Sequence, residues 1–111
     1  MNEYVFLYRY GGPPLSPQEM QAVMPRWMAW MKELGEKGHI KAAGNPLDRG
    51  GKVVRGGQKA ITDGPFAEAK DVINGYTLIL AKDLAQAADL AKGCPMLEGG
   101  GGVEVRPVRA M

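Results

Sequence analysis

Gly75-Tyr76-Thr77-Leu78-Ile79-Leu80-Ala81 runs directly into Lys82-Asp83-Leu84-Ala85-Gln86-Ala87-Ala88-Asp89-Leu90-Ala91-Lys92-Gly93. After Gly75, Tyr76 to Ala81 is apolar on both alternating faces, the pattern of a strand buried on two sides. Asp83 then caps a helix, with Gln86 three residues on to complete the cap. Leu84, Ala87, Ala88, Leu90 and Ala91 form its inner stripe, whose small residues let it lie close to a sheet, and Gly93 ends it. Beyond a glycine-rich stretch, Val103 to Val108 reads as a final strand. Pro107 lacks a ladder donor and therefore belongs at an edge or strand end.

The first part of the chain also reads as strand, helix and strand, without a sequence repeat. From Glu3 to Tyr10, Tyr4, Phe6, Tyr8 and Tyr10 alternate with Val5, Leu7 and Arg9, a strand signature. After Gly11-Gly12-Pro13-Pro14, Ser16, Pro17 and Glu19 open a helix with a capping box. At ~100° per residue, Met20, Val23, Met24, Trp27, Met28, Trp30, Met31 and Leu34 share one broad arc. Pro25 lies inside this helix and is expected to kink or divide it; Gly38 ends it. His39 to Ala43 is a short strand closed by Gly44-Asn45-Pro46. Two β-like pieces, Lys52–Val54 and Lys59–Thr62, form a hairpin or irregular arm, and Asp63-Gly64-Pro65 is a turn. With the arm around residues 50–62 set aside, the order is βαββαβ. The expected fold is α+β and ferredoxin-like: a four-stranded antiparallel sheet with two helices on one face, in a single domain spanning residues 1–111.

Composition agrees with a folded domain: 45% of the 111 residues are hydrophobic and 23% charged, ordinary globular values. The net charge of +2 is spread along the chain, without the basic stripe that nucleic-acid binding asks for. Cys94 is the only cysteine, so no internal disulfide forms, in keeping with a reducing compartment. No charged-then-apolar leader opens the sequence, and no apolar run approaches the ~18 residues of a membrane span. A cytoplasmic location, with neither nucleic acid nor membrane as partner, is the expectation.

Four motifs in order, Asp63-Gly64-Pro65-Phe66-Ala67-Glu68-Ala69-Lys70, Gly75-Tyr76, Gly93-Cys94-Pro95 and Val103-Glu104-Val105-Arg106-Pro107-Val108, resemble the DGPF-domain proteins of the YCII-related superfamily. The resemblance runs from the Tyr4 strand to Val108. It implies a ferredoxin-like domain that pairs into a dimeric α/β barrel, and a small-molecule role. Some YCII relatives act on aromatic ring substrates, and many DGPF genes lie near extracytoplasmic-function sigma factors, which implies a functional association with a sigma factor. The His–Asp dyad of YCII-like enzymes places its histidine on the first helix, where this chain has Trp27. The family chemistry is therefore not carried over unchanged.

The candidate site residues each have a plainer alternative. His39, the only histidine, has a reference pKa near neutrality and suits a general acid or base; otherwise it is a cation near a helix C-terminus. With no second His or Cys beside it, a metal site is not expected. Asp63 would orient His39 or bind a substrate hydroxyl, or else organise its turn. Arg106 would grip a carboxylate with its fork of donors, or else pair with Glu104. Glu68 and Lys70 would line a cleft or merely be solvated. Cys94 follows a helix end, where a thiolate is disfavoured, and reads as a buried structural residue. Trp27, Met28, Trp30 and Met31 occupy an arc wider than packing on one sheet requires, so they would wall a ligand pocket or meet a partner, or else are plain core. Gly11-Gly12-Pro13-Pro14 offers too few backbone N–H groups to cradle a phosphate.

The expected site therefore lies between the inner face of the first helix and the start of the second strand, with Tyr8, Trp27, His39 and Asp63 at its border. The leading reading is a small-molecule-binding domain, accessory or sensory, without a cofactor. The alternatives are an enzyme for proton transfer or elimination on an aromatic or lactone-like substrate, and a pure interaction module. A homodimer is expected because both faces of the sheet read as apolar while the two helices cover one.

Overall fold

The computed structural model describes residues 1–64 and 72–111. Strand β1 (Asn2–Tyr10) leads to helix α1 (Pro17–Glu36) and the short strand β2 (Ile40–Ala42). A hairpin of β3 (Gly51–Arg55) and β4 (Ala60–Gly64) follows. The chain then continues through β5 (Val72–Ala81), α2 (Leu84–Ala91), a 3₁₀ turn (Pro95–Gly99) and β6 (Gly102–Pro107). Among the described residues, β2, β5, β1 and β6 form one antiparallel four-stranded sheet in that order, and β3 and β4 a separate two-stranded sheet. With the hairpin set aside, this is the split βαβ order of a ferredoxin-like domain. Of the DGPF motif, Pro65 to Lys70 lies outside the described residues, and so do the expectations for Glu68 and Lys70.

Both helix starts form as their sequences dictate. The Ser16 hydroxyl accepts from the Glu19 N–H at 3.1 Å while the Glu19 carboxylate accepts from the Ser16 N–H at 3.0 Å. Asp83 accepts from the Gln86 N–H at 2.8 Å, and the Gln86 side chain accepts from the Lys82 N–H at 2.8 Å. Pro25 does not divide α1, which runs as one 20-residue helix. Gln21 and Pro25 both lie on its exposed side, where water can serve the carbonyl that Pro25 leaves without a helical partner. In α2, Ala87 and Ala91 face the core as expected, whereas Leu84 and Ala88 are exposed.

The core lies between the helices and one face of the sheet. Tyr4, Phe6 and Tyr8 of β1 and Ile79 and Ala81 of β5 meet Trp30 and Leu34 of α1 and Ala87 and Ala91 of α2. The Phe6 and Trp30 rings stack with an interplanar angle of 4° and centroids 6.0 Å apart. Gly93 permits this arrangement: a Cβ there would lie 2.7 Å from Trp30 Nε1.

The opposite face of the sheet carries Val5, Leu7, Tyr76, Leu78 and Leu80, with Val5 opposite Leu78 and Leu7 opposite Tyr76. Ion pairs Lys41–Glu3 and Arg9–Glu104 flank this apolar band, and neither helix packs on it. The hairpin also stands apart, with its facing residues Val54 and Ile61 63% and 67% exposed. The radius of gyration, 15.4 Å, correspondingly exceeds the ~13 Å of a compact chain of about this length.

Candidate functional site

The arc of α1 is wider than the sheet beneath it, and the excess walls a cavity. Trp30 and Leu34 are buried in the core, while Met20, Val23, Met24, Trp27 and Met31 line a hollow of about 490 Å³ between α1, β1 and the loop of residues 43–49. This size suits a small organic ligand. Val23 and Trp27 also border an adjoining hollow of about 380 Å³, along whose wall the Arg26–Glu98 ion pair joins α1 to the 3₁₀ turn at 2.5 Å.

Aromatic contacts fix the cavity wall. The Trp27 ring meets Tyr8 edge to face at 5.0 Å and Trp30 at 5.6 Å. Ring pairs in this geometry add stability beyond the area they bury. The loop opposite is pinned by Pro46, which bridges to Gly75, and by Leu47, whose N–H donates to Asn74 O at 2.8 Å. Gly44 has φ +72°, and a Cβ there would collide with the Tyr76 carbonyl oxygen at 1.9 Å. Only glycine passes this strand so closely without strain.

Polar groups at the cavity floor form a directed chain. Thr77 Oγ1 donates to the Ala43 carbonyl at 2.8 Å, and Tyr8 Oη lies 2.7 Å from Thr77 Oγ1. A hydroxyl has one proton. With that of Thr77 given to Ala43, the Tyr8 hydroxyl must be the donor in the second bond. Tyr8 Oη therefore keeps only acceptor capacity for a ligand. Burial pushes its ionisation well above the ordinary tyrosine range, so it stays a neutral phenol.

The residues expected from sequence divide into two groups. Tyr8 and Trp27 line the cavity. His39, Asp63 and Arg106 do not border it. His39 is buried at the opposite end of β2, its Nδ1 2.8 Å from Leu80 O. Since a carbonyl only accepts, Nδ1 carries the proton. Asp63 lies on the hairpin, its side chain 90% exposed and 2.6 Å from Lys52 Nζ on the facing strand. No hydrogen bond or ion pair joins His39 to Asp63 among the described residues. Arg106 is exposed on β6 and lies 3.7 Å from Glu104, the plainer of its two alternatives. Cys94 is buried, and burial raises its thiol to about 11, as befits a structural cysteine.

Sequence reasoning missed Thr77, Asn74 and Arg49. Thr77 sits within an otherwise apolar strand, where a lone hydroxyl on the helix-facing side must find a partner. Arg49 sits in the run leading into the hairpin, where no periodic signal marks it. Among the described residues, no group of three or more His, Cys, Asp or Glu side chains could hold a metal ion, and no helix is long and apolar enough to cross a membrane.

A family model described as the YCII-related domain matches residues 3–111. No curated protein matches the chain.

Proposed function

This chain belongs to the YCII-related family, and from that premise we propose that it is a small-molecule-binding domain that works as a homodimer. The observation that carries the binding reading is the cavity of about 490 Å³. It combines a rigid aromatic and methionine wall with a few polar groups, the make-up expected of a ligand site. Tyr8 and Trp27 are its ligand-binding residues. Binding without catalysis is favoured over proton transfer because the two candidate acid–base groups are engaged separately, His39 with Leu80 and Asp63 with Lys52.

The homodimer reading rests on the band of Val5, Leu7, Tyr76, Leu78 and Leu80, which neither helix covers among the described residues. The same face of a second copy would cover it in a two-fold contact and close the dimeric α/β barrel. An accessory or sensory role, with a sigma factor as functional associate, accords with such a domain.

Filling the cavity tests the binding reading. Val23 borders both hollows, and Val23→Trp should abolish binding of an aromatic probe such as 1-naphthol while the variant stays folded by circular dichroism. Unchanged binding in the filled variant would contradict the proposal.

A further inference from the structure

We infer that the ligand is an organic anion, its apolar body held between Trp27 and the methionines and its negative group gripped by Arg49. This rests on the binding reading above and goes beyond it by assigning the ligand's charge and the residue that selects it.

Arg49 is the only charged side chain lining the larger cavity among the described residues. Among the described residues its charge is not met by a carboxylate, in contrast to Arg9, Arg26, Lys41, Lys52 and Arg106, each of which has an acidic partner. The described contacts of Arg49 are a hydrogen bond from Nη2 to Gly12 O at 2.7 Å and the Tyr10 ring, whose centroid lies 6.0 Å from Cζ. Both hold the guanidinium in place at the cavity without neutralising it. A guanidinium has five N–H donors in a planar fork, so donors remain to bind a carboxylate or similar group. Arg49 is exposed, so its attraction for an anion is screened by salt.

The deep end of the cavity complements this. Tyr8 Oη accepts but does not donate there, so a ligand seated with its anion on Arg49 is best completed by an N–H or O–H near Tyr8. A neutral apolar molecule would leave Arg49 unmatched, and a cation would be repelled.

Calorimetric titration of the full chain with 1-naphthoate and 1-naphthamide, equal in shape and different in charge, tests the assignment. The anion should bind about tenfold more tightly or better, the usual worth of a charge-assisted hydrogen bond. Arg49→Gln should bring the ratio of naphthoate to naphthamide affinity close to one. In the unmodified protein the preference should also shrink as salt is raised, a reading that needs no variant. Equal affinity for the two probes, or a preference that survives Arg49→Gln, would overturn the anion assignment and leave the binding reading standing. Failure of both probes to bind would overturn the two together.

Discussion

Tyr8 and Thr77 are joined by a hydrogen bond of 2.7 Å whose direction is fixed from outside the pair, because the Ala43 carbonyl already takes the Thr77 proton. This bond ties the central strand β1 to β5, and through Ala43 to the loop that closes the cavity. The three groups are thus one structural unit and the floor of the proposed site.

Removing Thr77 should be worse for the fold than removing the Tyr8 hydroxyl. Thr77→Val leaves a buried phenol donor and the Ala43 carbonyl without their partner, which costs about 1–3 kcal/mol per orphaned group. Tyr8→Phe removes a donor and leaves Thr77 still bonded to Ala43, which costs about 1 kcal/mol. Urea unfolding of the two variants beside the parent protein gives the order directly.

Two glycines at the C-terminal ends of the helices should respond with opposite signs. Gly93→Ala drives a methyl to within 2.7 Å of the Trp30 indole nitrogen and should destabilise by about 1–3 kcal/mol through overpacking. Gly35 lies near the end of α1 with nothing within 4 Å of its would-be Cβ. Gly35→Ala should stabilise by about 0.5–1 kcal/mol, since glycine is a poor helix former. Thermal unfolding of both variants checks the pair.

Much of this was legible in the sequence, and the rest was hidden for identifiable reasons. The Ser16 and Asp83 caps, the alternation of β1 and the hairpin all follow from local chemistry, and local chemistry decided them. The wide arc of α1 leaves room for a pocket, but which of its residues form the wall is not local information: Trp30 turns into the core and Met28 to the outside, while Met20 and Met24 line the hollow. His39 and Asp63 pair as an expectation from sequence because both are titratable and near turns. Their separation depends on the hairpin standing away from the sheet, which no local pattern encodes. Arg49 escaped notice for the same reason: its position at the cavity is set by how the loop folds back to Gly12 and Tyr10, contacts 37 and 39 residues away in the chain.

The Cys94 thiol should make stability fall at alkaline pH. Burial raises it from 9.0 to about 11 in the folded protein. Its contribution is complete below the unfolded value, near pH 9, and is lost as pH rises through about 11, because only the unfolded chain accepts the thiolate freely. Cys94→Ser should flatten that part of the profile. Denaturant midpoints measured between neutral pH and pH 11 show whether it does.

A charge on the uncovered sheet face should split the dimer. Leu78 lies opposite Val5 at the middle of the apolar band, so Leu78→Glu places a carboxylate at the centre of the proposed contact. Light scattering after gel filtration should give about twice the 12.0 kDa chain mass for the parent and a reduced mass for the variant. A parent mass of one chain at micromolar concentration would contradict the homodimer.

The most direct measurement of the central claim, that a small organic molecule binds in the cavity, uses the protein's own methionines. Seven are present, and four of them, Met20, Met24, Met31 and Met96, line the cavity, whereas Met1, Met28 and Met111 do not. With ¹³C-labelled methionine methyl groups, addition of 1-naphthoate should shift the signals of Met20, Met24, Met31 and Met96 and leave those of Met1, Met28 and Met111 in place. Shifts confined to Met1, Met28 and Met111, or no shift at millimolar probe, would contradict it.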